Sequence, residues 1–294
     1  MTQPKGALAD VPDTDEVAAK SSETSFDDYD RYETATFTQR VRAAIPSSLA
    51  RTLVSVLVLL ILWEIVARFI IDNQLVLVGP IEVWESLSKK WEAGTLQVDM
   101  GVSAREFLQG FVVGVGVGIP LGLLLGSSRR LREYIDPVIN AAYATPIIAL
   151  APLFILWFGI GERKTVVLVF LLVVLPVIVA TDLGIRSTEP VLIEAGKAFG
   201  TSKWQRFTMV QLPWSLSFIV SGLRLAIGRG LIGVVAGELF GSSKGLGYMI
   251  YNASQVFDTG AVLGGVAIFA FVGVVLVMVM EWVERRIAPW REDR

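Results

Sequence analysis

The segment Glu194–Pro213, EAGKAFGTSKWQRFTMVQLP, lies between two long apolar runs and has the character of neither. It carries Glu194, Lys197, Lys203 and Arg206, is interrupted by Gly200 and ends at Pro213. Just upstream, Ser187 and Thr188 are available as helix caps, and Pro190 stands near a helix start. Leu192, Ala195 and Phe199 then fall on one helical face, with Glu194 and Lys197 turned away. Gly200 ends that helix, and Thr201 or Ser202 caps a second one. There Trp204 and Phe207 share a face, with Val210 or Gln211 following, while Lys203 and Arg206 point elsewhere. Pro213 sits where the chain turns into the next apolar run. The pattern predicts a helix, a glycine elbow and a second helix. Composition leaves two readings open: a hairpin resting on lipid headgroups, or a docking element for a partner protein.

What surrounds the segment decides its setting. Of 294 residues, 53% are hydrophobic, and the mean hydropathy is +0.59. A water-soluble domain of this size is less apolar, and here the apolar residues are clustered. A bilayer crossing needs about 20 mostly apolar residues. Six stretches qualify: Leu53–Ile71, Phe107–Leu125, Pro137–Phe158, Thr165–Leu183, Trp214–Gly237 and Val262–Val283. The expected fold class is an all-α membrane protein with six transmembrane helices and both termini on one side. Residues 51–290 form this domain, and residues 1–50 precede it as an acidic tail.

Lys and Arg in the short loops set the orientation. One side collects Arg40, Arg42, Arg51, Arg129, Arg130, Arg132, Arg186, Lys197, Lys203, Arg206, Arg285, Arg286, Arg291 and Arg294. The other holds only Lys89, Lys90, Arg105, Arg163, Lys164 and Lys244. The richer side is cytoplasmic, so the loop at 186–213 and both termini are expected in the cytoplasm. The tail, with Asp10, Asp13, Asp15, Glu16, Glu23, Asp27, Asp28, Asp30 and Glu33 against Lys5, Lys20 and Arg31, reads as a disordered, solvated leader. It lacks the basic start and apolar core of a secretory signal.

The opposite loops have structure of their own. Trp84, Leu87 and Trp91 recur at helical spacing beside charges, which suits a short helix at the membrane interface. Gly241, Gly245 and Gly247 provide tight backbone ahead of a mixed segment that would fold over the external mouth. The glycosylation-like triplet Asn252–Ser254 is short enough to arise by chance.

Within the spans, Gly110, Gly114, Gly118, Gly122 and Gly126 recur every fourth residue and line one stripe of the second helix. Such a stripe lets another backbone come close, either as static packing or as a contact that slides during transport. Pro120 would loosen that helix locally. Glu64 and Arg68, four apart, can pair on one face. Arg224 and Arg229 in the fifth span have no carboxylate three or four positions away. Arg224, near mid-bilayer, either meets an anionic solute or pairs with a carboxylate of another span such as Asp182 or Glu64, and both arginines are candidates for the solute pathway. Pro146 and Pro152 should break the third helix near its middle, making Thr145 to Leu150 a second candidate for the pathway.

The order Glu194-Ala195-Gly196, Gly200, then Val210-Gln211-Leu212-Pro213 is similar to the cytoplasmic loop of permease subunits of bacterial ABC importers. That family pattern is Glu-Ala-Ala, Gly, then Ile-x-Leu-Pro at the same spacing. This chain departs at Gly196 for Ala and at Val210 for Ile. GIPLGLLLGSSRRLREYIDPVI, ATPIIALAPLFILWFGIGE, SGLRLAIG and GLGYMI extend the resemblance to the nitrate/sulfonate/taurine/bicarbonate group, over residues 53–290. The resemblance implies the MetI-like permease fold in the bacterial inner membrane. It implies as partners a second permease copy, two cytosolic ABC ATPases and an external solute-binding protein. ATP and magnesium would sit on the ATPase, with no cofactor on this chain. Glu194, Ala195, Gly196, Lys197 and Phe199 would dock on the ATPase, with Gly200 as elbow and Lys203, Trp204 and Arg206 flanking. Gly196 in place of Ala should soften the docking helix by up to about 1 kcal/mol. The implied cargo is a small anion such as a sulfonate, taurine, nitrate or bicarbonate; the alternative is a neutral or cationic, thiamine-precursor-like solute.

Other classes fit poorly. Cysteine and histidine are absent, which removes disulfides, thiol nucleophiles, imidazole bases and Cys/His metal sites. No phosphate-binding Gly-x-x-x-x-Gly-Lys-Ser/Thr pattern occurs, so nucleotide hydrolysis would reside elsewhere. Neither an enzyme's acid–base cluster nor a nucleic-acid-binding pattern is visible. A secondary transporter, working without an ATPase, would show internal repeats and ion-coupling carboxylates or histidines in its spans. There is no clear repeat, and few carboxylates fall within the six stretches.

Overall fold

The computed structural model describes residues 47–71, 73 and 75–287. The acidic tail therefore lies almost wholly outside the described residues. The elements are α1 (Ser47–Ile65, continued by a π turn over Val66–Ile70), α2 (Pro80–Glu92) and α3 (Thr95–Ser127). Next come α4 (Arg129–Ala144), a 3₁₀ turn (Ile147–Leu150), α5 (Ala151–Phe158) and α6 (Glu162–Arg186). Then follow α7 (Pro190–Ala198), α8 (Lys203–Arg206), a π turn (Phe207–Gln211), α9 (Leu212–Leu239), α10 (Leu246–Gln255) and α11 (Thr259–Ile287). There is no strand among the described residues. The chain divides at Trp63–Glu64 into two compact units. The described part of the first is the apolar body of α1; the packing described below is that of the second.

Five helical segments are long and apolar enough to cross a membrane: Thr52–Ile70, Thr95–Ser127, Glu162–Arg186, Lys203–Leu239 and Thr259–Arg286. Between the second and third lies the pair Arg129–Ala144 and Ile147–Phe158, bent by 77°. The packing shows what that pair does. Gly110, Gly114, Gly118, Gly122 and Gly126 of α3 meet Val169, Val173, Val177, Thr181 and Ile185 of α6 in the same order, so α3 and α6 run parallel. The chain between two parallel helices must travel back across the full depth. The bent pair is therefore one broken crossing, giving six.

A Cβ on any of the five glycines would lie 2.5–2.8 Å from the facing β-branched side chain. The stripe is a tight two-helix seam, and α3 runs through Pro120 as one helix. On its other side α6 packs antiparallel to α9, with Gly222 against Ala180, Gly230 against Val173 and Gly237 against Thr165. Phe107, Val169, Val173, Val177, Ala226, Ile227 and Val234 fill the space between the three helices. In lipid, where apolar side chains gain little by leaving the solvent, such close backbone approach is what holds helices together. Helix α11 runs antiparallel to α9, with Gly273 against Leu231 and Glu284 against Arg224. One end of the bundle thus carries Ser127, Arg186, α7 and Ile287; the other carries Thr95, Glu162, Leu239 and α10.

Three spans depart from their expected limits. The second begins at Thr95, not Phe107, because its polar first turns find partners inside the protein. The third is broken at Thr145–Pro146, the break expected of Pro146, but its first half begins at Arg129, not Pro137, and Pro152 opens α5 instead of interrupting it. The fifth does not turn at Pro213: Lys203–Leu239 is one 37-residue helical run. Its π turn brings the Leu212 amide to the Phe207 carbonyl, which widens the helix where Pro213 has no N–H to offer.

Candidate functional site

Helices α7 and α8 form the hairpin expected from the sequence, by partly different means. The α7 N-cap is Glu189, without a side-chain bond; Ser187 and Thr188 instead donate back to the Gly184 and Ile185 carbonyls at the end of α6. Competition from those carbonyls, left free at the α6 terminus, takes the hydroxyls away from capping α7. Pro190 opens α7 at its first turn. At the other end the Gly200 amide donates to Lys197 O (2.9 Å) and the Thr201 amide to Gly196 O (3.1 Å). That is a Schellman turn, and its C′ residue, Gly200, has φ +72°. Ser202 then caps α8 reciprocally with Gln205, at 3.2 Å and 2.8 Å. The Arg206 guanidinium folds back to the Thr201 carbonyl. Gly196 faces the Arg206 stem, where an added Cβ would sit 3.2 Å from Arg206 Cγ. Glycine at this position lets α8 lie close to α7.

No residue of α7 or α8 is buried, Glu194, Ala195 and Lys197 included. Phe199 is 86% and Trp204 71% exposed. The Trp204 ring lies tilted against that of Phe207, with ring centroids 5.7 Å apart. The hairpin tip therefore displays two large apolar side chains and joins α6 through one short turn. Leu212 and Pro213 lie inside the continuous helix that leads from α8 into the fifth span.

The pathway candidates separate into two groups. Arg224 Nη2 bonds Glu284 Oε2 of α11 at 2.7 Å. This corrects the expected partners. Asp182 is already held by Arg132 at 3.1 Å and Arg186 at 3.2 Å, and Glu64 pairs with Arg68. Arg229 instead lies 4.5 Å over the Tyr143 ring, two residues before the break at Thr145 and Pro146. Thr145 and Pro146 are exposed, the Thr145 hydroxyl donating to Ala141 O at 2.8 Å.

A further polar cluster, which no local sequence pattern announces, lies at the end opposite the hairpin, and it buries Lys164, expected in a loop. Glu106 of α3, Lys164 of α6 and Glu238 of α9 are each at most 2% exposed. Glu106 neighbours both other residues. Glu238 accepts from Ser103 Oγ (2.6 Å) and from the Gly247 amide (2.6 Å). Ser103 Oγ accepts from the Leu246 amide (2.8 Å), and Asp99 Oδ1 from the Gly245 amide (2.8 Å). Lys164 Nζ donates to Gly237 O and, at 3.0 Å, to Ser242 Oγ. Three side chains of α3 and α9 thus satisfy the first three amides at the start of α10. Gly245 is required there twice: its φ is +114°, and a Cβ would lie 2.4 Å from the Glu238 carboxyl carbon. The cluster fastens α10 across the end of the bundle opposite α7. Among the described residues no group of acidic side chains is arranged to hold a metal ion.

The chain is thus a polytopic helical bundle with an exposed hairpin at one end and a buried polar clasp at the other. Residues 118–292 match the family described as binding-protein-dependent transport system inner membrane component. The chain is 33% identical over 236 residues to SsuC of Bacillus subtilis, described as an aliphatic sulfonates transport permease, covering 80% of this chain and 86% of that one. It is 32% identical over 241 residues to the taurine transport system permease TauC of Escherichia coli, covering 80% and 88%. The formylaminopyrimidine transport permease ThiX of Halalkalibacterium halodurans matches at 31% over 244 residues, covering 81% and 94%. A solved inward-facing form of the methionine ABC transporter MetNI shares the fold, with a TM-score of 0.50 at 21% identity over 72% of this chain and 98% of that one. The chain belongs to the binding-protein-dependent inner membrane component family and is a permease subunit of an ABC importer.

Proposed function

We propose that this chain lines the solute pathway of an ATP-driven importer for a small anion, with a sulfonate or taurine as the first candidate. It works as one of two permease copies, coupled through residues 186–213 to a pair of cytosolic ATPases that hold ATP and magnesium, and receives solute from an external binding protein. The observation that carries the coupling is the hairpin tip. Phe199 and Trp204 are exposed on a rigid turn whose two arms lead into the fourth and fifth spans. An amphipathic helix presenting apolar anchors suits a groove on a partner. A motor moving that tip must move α6 and α9 with it, and the pathway can then alternate between outward and inward openings. With the hairpin in the cytoplasm, the end of α11 lies there too, and six crossings place the N-terminus on the same side. The anion assignment draws on the likeness to SsuC and TauC.

The likeness to ThiX favours a second reading, the same subunit carrying a neutral or cationic solute. Uptake of labelled ethanesulfonate, taurine and formylaminopyrimidine by proteoliposomes holding the full transporter decides between them. For the coupling, the full-length chain should co-purify with a nucleotide-hydrolysing protein. Glu194→Lys and Gly200→Asp should each abolish that association without affecting membrane insertion. Association that survives both changes would overturn the docking role.

A further inference from the structure

Two arginines share the fifth span, and the structure treats them differently. Arg224 is neutralised by Glu284 at 2.7 Å. Arg229, five residues on, has no carboxylate within ion-pair distance among the described residues, and its guanidinium rests on the face of Tyr143. A ring face compensates only part of a full charge. An ionised side chain at this depth, about 15 Å from the Leu239 end at 1.5 Å per residue, needs either an opposite charge or water.

A second observation at the same depth says which. The third span breaks just beyond Tyr143, at exposed Thr145 and Pro146. Non-helical backbone inside a membrane persists only where protein covers it or a water-filled route passes it. Beside Arg229, Gly228 is exposed, and nothing lies within 4 Å of where its Cβ would be. An uncompensated cation thus rests beside a broken helix, and the residue next to it on its own helix is unobstructed. In secondary transporters, discontinuous helices at mid-membrane are where solutes are held, and the break here offers the same unpaired backbone.

We infer that Arg229, stacked on Tyr143 beside the break in the third span, is the group that receives the oxyanion head of the solute at mid-membrane, and that Arg224 is a structural cation outside the pathway. This rests on the importer reading and specifies its cargo-contacting site. The guanidinium offers paired N–H donors to a sulfonate or carboxylate. The Tyr143 ring lies on one side of the guanidinium, 4.5 Å from its central carbon.

The chain has no cysteine, so a single Gly228→Cys change reports on this site alone. In membrane-embedded full-length chain, the anionic sulfonatoethyl and cationic trimethylammonioethyl methanethiosulfonates are compared for their rates at residue 228. The anionic reagent should be favoured, and Arg229→Gln should lower the anionic-to-cationic rate ratio about tenfold or more, the effect of one nearby charge. The charge-balanced pair Arg224→Gln with Glu284→Gln should leave the ratio within about twofold. With Arg229 intact, ethanesulfonate should slow labelling by the anionic reagent while tetramethylammonium does not; this arm stands even if Arg229→Gln fails to fold. An unchanged ratio in Arg229→Gln, equal effects of the two competitors, or no reaction of residue 228 with either reagent would each overturn the assignment. Labelling needs no motor and no binding protein. A failure of ATPase coupling would therefore leave this result standing, and the converse holds.

Discussion

Gly114 of α3 faces Val173 of α6 so closely that a Cβ at position 114 would lie 2.7 Å from Val173 Cγ1. The contact lies between those of Gly110 and Gly118 in the five-glycine seam, so neither helix can shift locally without disturbing its neighbours on the ladder. Gly114→Leu should cost about 3 kcal/mol or more, and Gly114→Ala about 1–2 kcal/mol, by overpacking. Adding Val173→Ala to Gly114→Ala should recover much of the loss, because the two sites share one contact. Thermal unfolding of the purified chain in detergent measures each. Additive losses in the double variant would mean that the seam is looser than its geometry.

Glu238 is held by Ser103 and by the Gly247 amide, both at 2.6 Å, and it is fully buried. Glu238→Ala leaves a buried hydroxyl and a buried amide without their acceptor, at about 1–3 kcal/mol for each orphaned group. Glu238→Gln keeps one acceptor oxygen and should cost distinctly less. Limited proteolysis should then find cleavage around residues 241–258 accelerated in the Ala variant more than in the Gln variant. Equal protection in the two would show that α10 is held by its apolar contacts alone.

That clasp also marks what could and could not be read from the sequence. Hydropathy delimited the second, fourth and fifth spans at Phe107, Thr165 and Gly237, and Glu106, Lys164 and Glu238 each lie one residue outside those limits. The charges themselves end the apolar windows, which assigns these residues to the loops. Their burial comes from three helices converging at one end of the bundle, information that no single segment contains. The glycine stripe and the hairpin were legible because each is a local pattern: a fixed period in the first, a Gly elbow between cap residues in the second. The π turn before Pro213 was not, because the sequence signals a lost hydrogen bond and not the geometry that absorbs it. Nor was the partner of Arg224, since Glu284 is sixty positions away.

The Arg224–Glu284 bond makes α9 and α11 depend on each other. Arg224→Gln should leave the Glu284 carboxylate half-buried without a counter-charge and lower stability by about 1–3 kcal/mol, with Glu284→Gln costing a similar amount. The double change should be much less harmful than the sum of the two, because neither charge is then stranded. Fluorescence-detected size-exclusion after a heating series measures all three. A double variant as unstable as the additive expectation would remove the structural role given to Arg224 and reopen it as a pathway residue.

At the hairpin, Gly200 has φ +72°, a conformation that an L side chain adopts at a cost of about 1 kcal/mol. Nothing lies within 4 Å of its would-be Cβ, so the cost of substitution is backbone strain and not collision. Replacing it should therefore leave the bundle's unfolding temperature unchanged and act on the angle between α7 and α8. If the two helices must present Phe199 and Trp204 together to a motor subunit, about 1 kcal/mol of strain translates into an affinity loss of roughly fivefold. The expected order is Gly200, then Gly200→Asn, which tolerates the left-handed region, then Gly200→Ala, then Gly200→Val. Affinity for the ATPase, measured with the permease in nanodiscs, should follow that order while thermal stability does not. A flat series would mean that the Schellman turn is dispensable for docking; a parallel fall in unfolding temperature would mean that the elbow supports the spans and not the partner contact.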